Sequence, residues 1–90
     1  MKAKQGFILR NIAGEHILIP RGKNALDFNA TVVLNDTAAF LWKKLSDSED
    51  VSLDQLVGAL LAEFNVTYEQ AEVDVKVFVE EMRMAGIIDG

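Results

Sequence analysis

The chain has 90 residues, half of them apolar, and nine Lys and Arg against fourteen Asp and Glu give it a net charge of −5. That length supports one small domain over residues 1–90 and leaves no material for a second core. The acidic balance, with basic residues scattered from Lys2 to Arg83, argues against nucleic acid as a partner, because such binding draws most of its affinity from neutralised phosphates. No apolar run approaches the roughly 20 residues needed to span a bilayer, and the N-terminal MKAKQGF lacks the apolar stretch of a secretion signal. The absence of cysteine removes disulfides, thiolate zinc sites and a thiol nucleophile. A cytoplasmic protein with no membrane partner is expected.

FILRNIAGEHILIP, residues 7–20, holds two β-rich runs separated by Ala13-Gly14, which suits a tight reversal and predicts a hairpin. Phe7 and Leu9 point one way and Ile8 and Ile12 the other, while Ile17 and Ile19 oppose Leu18. The sheet therefore carries apolar groups on both faces, and a domain this small covers only one of them well. Pro20 ends the second strand. RGKNALDFNA, residues 21–30, reads as an irregular connection into a third strand at Thr31, Val32, Val33 and Leu34.

The rest reads as helix. Asn35 or Asp36 caps a first helix running to about Leu45, with Ala38, Leu41, Trp42 and Leu45 in one stripe. A second begins at Ser52, which forms a capping-box pattern with Gln55, and places Leu53, Leu56, Val57, Leu60, Leu61 and Phe64 at helical spacing. Thr67 and Gln70 repeat the capping-box signal before a third helix that ends near Gly86. Its residues Ala71, Val75, Phe78, Val79, Met82 and Ala85 make a core stripe, while Val73, Val77 and Met84 cluster nearly opposite, bordered by Lys76 and Glu80. A second apolar stripe asks for a second contact, either a partner-binding groove or packing within the fold or between two copies. The predicted order is β-β-β-α-α-α.

The inventory for catalysis is thin. His16 is the sole histidine and reads as a solvated or packed strand residue, which with no cysteine leaves no metal site. Asp27, Asp36 and Asp74 form no recognisable acid/base pair, and the glycines match neither a phosphate loop nor a dinucleotide fingerprint. The acidic run at residues 47–50 lacks the spacing of a calcium loop. Trp42 falls on a core stripe and reads as packing. Neither catalytic residues nor a cofactor is expected, and an enzyme is not.

The hairpin FILRNIAGEHILIP, the segment ALDFNATVVLNDTAAFLW, the helix VSLDQLVGALLAEFNV and the ending AEVDVKVFVEEMRMAGIID together resemble the proteins typified by pyrroloquinoline quinone biosynthesis protein D, also called RiPP recognition elements. The resemblance lies in order and spacing, chiefly Leu34-Asn35 with Thr37 and Trp42, and Asp74-Val75 with Phe78, Met82 and Gly86-Ile87. It implies an α+β, winged-helix-like domain with a three-stranded antiparallel sheet followed by a three-helix bundle. It further implies a peptide-binding adaptor that takes the leader of a ribosomally made precursor as an added strand and presents it to a modifying enzyme, often a radical S-adenosylmethionine (SAM) protein. Carried onto this chain, the groove would be formed by Thr31, Val32, Val33 and Leu34 and by the third helix. Val73, Val77 and Met84 would be its wall, with charges such as Lys76, Glu80 and Arg83 for specificity. The other readings are a winged-helix DNA-binding or transcriptional module, which the charge disfavours, and a structural domain that forms a homodimer through the second stripe.

Overall fold

The computed structural model describes residues 1–21 and 31–89. Its elements are β1 (Lys2–Ala3), β2 (Phe7–Ile12), β3 (Glu15–Pro20), β4 (Val32–Leu34), α1 (Asp36–Ser46), α2 (Leu53–Glu63), α3 (Tyr68–Met84) and β5 (Ile88–Asp89). This is an α+β fold in which a three-stranded antiparallel sheet, in the order β2-β3-β4, is followed by three helices. Two short strands not expected from the sequence, β1 and β5, pair antiparallel as a separate ribbon. The connection at residues 22–30, and Asp27 within it, lies outside the described residues.

The hairpin forms as predicted. Ala13 and Gly14 take positive φ angles of 53° and 84°, the left-handed pair whose twist matches that of the flanking strands. Glycine adopts such angles freely, whereas Ala13 holds its angle against its own Cβ. Registry then sorts the side chains. The rows Leu9–Leu18–Val32 and Asn11–His16–Leu34 face one way, and the rows Ile8–Ile19 and Arg10–Ile17–Val33 face the other. Leu18 and Leu34 are buried under the helices, while Val33 on the outer face is 61% exposed.

The helices cover the inner face with Leu41, Trp42 and Leu45 from α1, Leu56, Val57 and Leu60 from α2, and Ala71, Val75, Phe78, Val79 and Met82 from α3. These stripes are narrower than the sequence suggests. Leu53, Leu61 and Ala85 are exposed: the two leucines flank the contact surface of α2, and Ala85 is already the C-cap of α3. Ser52 and Gln55 form the full capping box. Thr67 accepts from the Gln70 N–H, but the Gln70 side chain turns forward to Asp74 Oδ1 at 2.7 Å, so the reciprocal half is missing. Trp42 is a core residue whose buried Nε1 has no partner among the described residues.

The end of α3 is set by Gly86 at φ 73°. The Ile87 N–H bonds to the Met82 carbonyl at 2.9 Å and the Gly86 N–H to that of Arg83 at 3.0 Å, the paired bonds of a Schellman stop. The chain turns there into β5. At the other end the Met1 ammonium donates to Asp50 Oδ1 at 2.7 Å and to the Val51 carbonyl at 3.1 Å, and the Val51 N–H returns a bond to the Met1 carbonyl. The α1–α2 turn is thus tied to the β1–β5 ribbon. The hydrogen bond from this ammonium, and then its charge, hold the Asp50 carboxyl below the usual carboxylate range.

Three outcomes follow. Ala13→Asn or Ala13→Gly is expected to stabilise the protein by about 0.5–1 kcal/mol in urea titrations, since both relieve the strained turn. Leu60→Ala, at a site with no exposure, is expected to cost about 2–5 kcal/mol. Because the Asp50 value is lowered on folding, its contribution is complete above the ordinary carboxylate range and is lost as pH falls through the lowered value. Asp50→Asn should therefore flatten the acid limb of stability below about pH 4; the carboxyl is exposed, so the change is small.

Candidate functional site

Among the described residues the strand order leaves β4 with β3 on one side and a free edge on the other. Along such an edge alternate N–H and C=O groups have no protein partner. The position of this edge is fixed from within. Leu34 is 5% exposed, and with no intervening loop the next residue, Asn35, is the N-cap of α1, its side chain accepting from the Ala38 N–H at 2.8 Å and from the Thr37 hydroxyl at 2.9 Å. Asp36, next again, sits 2.8 Å from His16 Nε2. His16 is therefore a strand residue that ties β3 to the first turn of α1. Thr31 is exposed and precedes the strand, Val32 is half-buried toward the core, and Val33 points outward.

Beside this junction a cleft of about 150 Å³ opens between the first turns of α1 and the middle of α3, lined by Asn35, Thr37, Ala38, Leu41, Asp74, Val77, Phe78 and Glu81. The α3 residues fall at i, i+3, i+4 and i+7, one face of the helix. At about 100° per residue this face lies roughly a quarter turn from the core stripe and a quarter turn from the stripe of Val73, Val77 and Met84.

Of the groove residues expected on α3 from sequence, Val73, Lys76, Val77, Glu80 and Met84, only Val77 reaches the cleft. Val73, Val77 and Met84 are 54%, 51% and 80% exposed, so the second stripe is an uncovered surface. Lys76 is paired with Glu72 at 3.3 Å and Glu80 lies 3.8 Å from Arg83, both along α3. From the sequence Phe78 reads as core and Asp74 as a member of no acid/base pair, both within the pattern that carries the family resemblance, and Glu81 carries no reading. Their signal was the spacing around Val77, which acquires meaning once α1 is seen to pack beside it.

The cleft has an apolar floor of Ala38, Leu41, Val77 and Phe78, with Asn35 and Thr37 on its α1 side and the carboxylates Asp74 and Glu81 on its α3 side, and no cation among the described lining residues. Nearer the start of α3, the Glu72 carboxylate, by its charge and a hydrogen bond, and Asp54 more weakly, push Tyr68 above the ordinary phenol value. Among the described residues no group of three or more His, Asp or Glu could hold a metal. A wider, polar depression between β1 and the α1–α2 turn, lined by Lys2, Lys4, Asp47, Glu49 and Asp50 among others, has no part of the strand edge. No helix among the described residues is long and apolar enough to cross a membrane.

Comparison with known proteins agrees with the fold. The family model described as Coenzyme PQQ synthesis protein D (PqqD) matches residues 15–88. Among solved structures, one described as TbiB1 in complex with the TbiA(beta) leader peptide superposes with a TM-score of 0.73 at 21% identity, covering 100% of this chain and 96% of that one. Another, a lasso peptide synthetase B1 complexed with the leader peptide, superposes with a TM-score of 0.69 at 22% identity, covering 96% of this chain and 93% of that one. No match is found among curated proteins.

Two neighbouring substitutions on α3 separate the cleft from the core. Val77→Asp, at a half-exposed position, is expected to change stability by no more than about 1 kcal/mol. Phe78→Asp, at a position 3% exposed, buries a carboxylate and is expected to unfold the protein. Circular dichroism with chemical denaturation reads both; equal destabilisation would show that the α3 faces are wrongly assigned.

Proposed function

The chain belongs to the family of Coenzyme PQQ synthesis protein D (PqqD), and from that premise we propose that it is a non-catalytic adaptor. It binds the leader of a ribosomally synthesised precursor peptide and holds it for a modifying enzyme, of the radical SAM class or another that acts on peptides. It does so as a single domain in the cytoplasm.

The observation that carries this reading is the edge of β4 that is free among the described residues, anchored through Leu34 and Asn35 and placed beside a cleft with an apolar floor and polar walls. An extended peptide laid along that edge satisfies N–H and C=O groups that otherwise bond only to water, whatever its side chains. Its alternate residues then fall on opposite faces. One set lies toward α3 and meets Val77 and the cleft, with Val73 and Met84 beyond it and Lys76 and Glu80 at the rim. The other set continues the outer sheet face beside Val33 and Ile17. Affinity comes from the ladder of Thr31, Val32, Val33 and Leu34, and selectivity from the side chains around it.

The test uses leader peptides encoded by short open reading frames neighbouring the gene. Binding should slow amide hydrogen exchange at residues 31–34, at those amides that point away from β3. Methylating the peptide backbone nitrogen should weaken binding by on the order of 1 kcal/mol or more at alternate positions and little between them. Protection gained along α2 instead, with β4 unchanged, would rule out strand addition.

A further inference from the structure

The cleft has a chemical character that strand addition alone does not require. Its α3 face reads Asp74, Val77, Phe78, Glu81, so an apolar centre is flanked by a carboxylate on each side. The two acids are seven residues apart, about 10.5 Å along the helix axis. Each is therefore about 5 Å from the apolar centre. In an extended peptide, residues on the same side repeat at about 6.6–6.8 Å, so a side chain seated over Val77 and Phe78 places its second neighbour on that side close to one carboxylate.

The cleft offers that neighbour a negative site. The positive end of α1 opens toward it, but Asn35 caps that end and Asp36 adds a further carboxylate in the first turn. His16 is engaged with Asp36. The nearest lysine along α3, Lys76, is paired with Glu72. Asp74 keeps its carboxylate near the cleft by accepting from Gln70 at 2.7 Å, the same contact that breaks the capping box.

We infer that the peptide segment taken up by β4 carries, on its side facing α3, an apolar residue with Lys or Arg two positions away. This rests on the adaptor reading above and names the class of sequence it accepts. The aliphatic stem of Lys or Arg lies along the apolar floor while its head reaches Asp74 or Glu81. An acidic residue at that position meets like charge and loses its water, so acidic leaders are rejected at the same place.

A phage-displayed library of random twelve-residue peptides, panned on the full chain, tests it. Selected peptides should be enriched in Lys or Arg two positions from an apolar residue. In synthetic copies, changing that Lys or Arg to Gln should weaken binding about twofold to fivefold, the difference shrinking as salt rises. The double variant Asp74→Asn, Glu81→Gln should bind the Lys and Gln forms equally; Asn still accepts from Gln70, and both positions lie on the surface of the cleft, so the fold is retained. Selected peptides that protect β4 from exchange but show no basic enrichment, or whose Lys-to-Gln difference survives in the double variant, would overturn the inference and leave the adaptor reading in place. Binders that leave β4 unprotected, or a library that yields none, would overturn both.

Discussion

Everything the proposed site requires depends on the absence of a loop between β4 and α1. Three consecutive residues do three different jobs there: Leu34 enters the core, Asn35 caps the helix and Asp36 meets His16 of β3. A slip of one residue in the β4 register would turn Leu34 outward and carry Val33 into the core, and it would pull Asn35 out of its capping geometry. A strand of only three residues is marginal by itself. Held in this way, it presents its free edge in one position, and a peptide that pairs with it bears only its own ordering cost.

The other end of the molecule answers a complementary need. α3 must present one face to the core and keep two flanks open, so it cannot be covered from outside. It is positioned by its buried stripe of Ala71, Val75, Phe78, Val79 and Met82 and by its ends. The Schellman stop at Gly86 directs the buried Ile87 and Ile88 back under the fold, β5 pairs with β1, and Met1 joins that ribbon to the α1–α2 turn. The helix is thus located by its core stripe and its C-terminal end, and its stripe of Val73, Val77 and Met84 stays exposed.

Much of this was legible in the sequence because it is local. The hairpin follows from two apolar runs around Ala13-Gly14, the first helix from Asn35, the second from Ser52 and Gln55, and the two-sided character of α3 from a period of 3.6 residues. What the sequence left unread depends on distant partners. β1 and β5 are two residues each and come from opposite ends of the chain, so neither carries a periodic signal of its own. Gln70 fits a capping box in type and spacing, yet Asp74, one turn on, offers its side chain a stronger, charged acceptor. Leu53 and Leu61 have helical spacing, but α2 buries only the narrow strip that meets its neighbours. The cleft was hidden for the same reason: Asp74 and Glu81 belong to neither apolar stripe, and nothing along α3 says that the first turn of α1 lies alongside.

An open sheet edge is also a hazard, because another copy of the chain offers the same unpaired groups. Two features work against such pairing here. β4 is three residues long, so edge-to-edge contact between copies gains few hydrogen bonds. Its surroundings are acidic as well, with Asp74 and Glu81 at the cleft and Asp36 beside the junction, in a chain of net charge −5. Two copies brought edge to edge would set these carboxylates against each other, and like charges so placed oppose association. A peptide carrying Lys or Arg reverses that sign. On this reading the carboxylates serve two ends through one interaction: they keep the edge from its own kind and reserve it for a strand of the opposite charge.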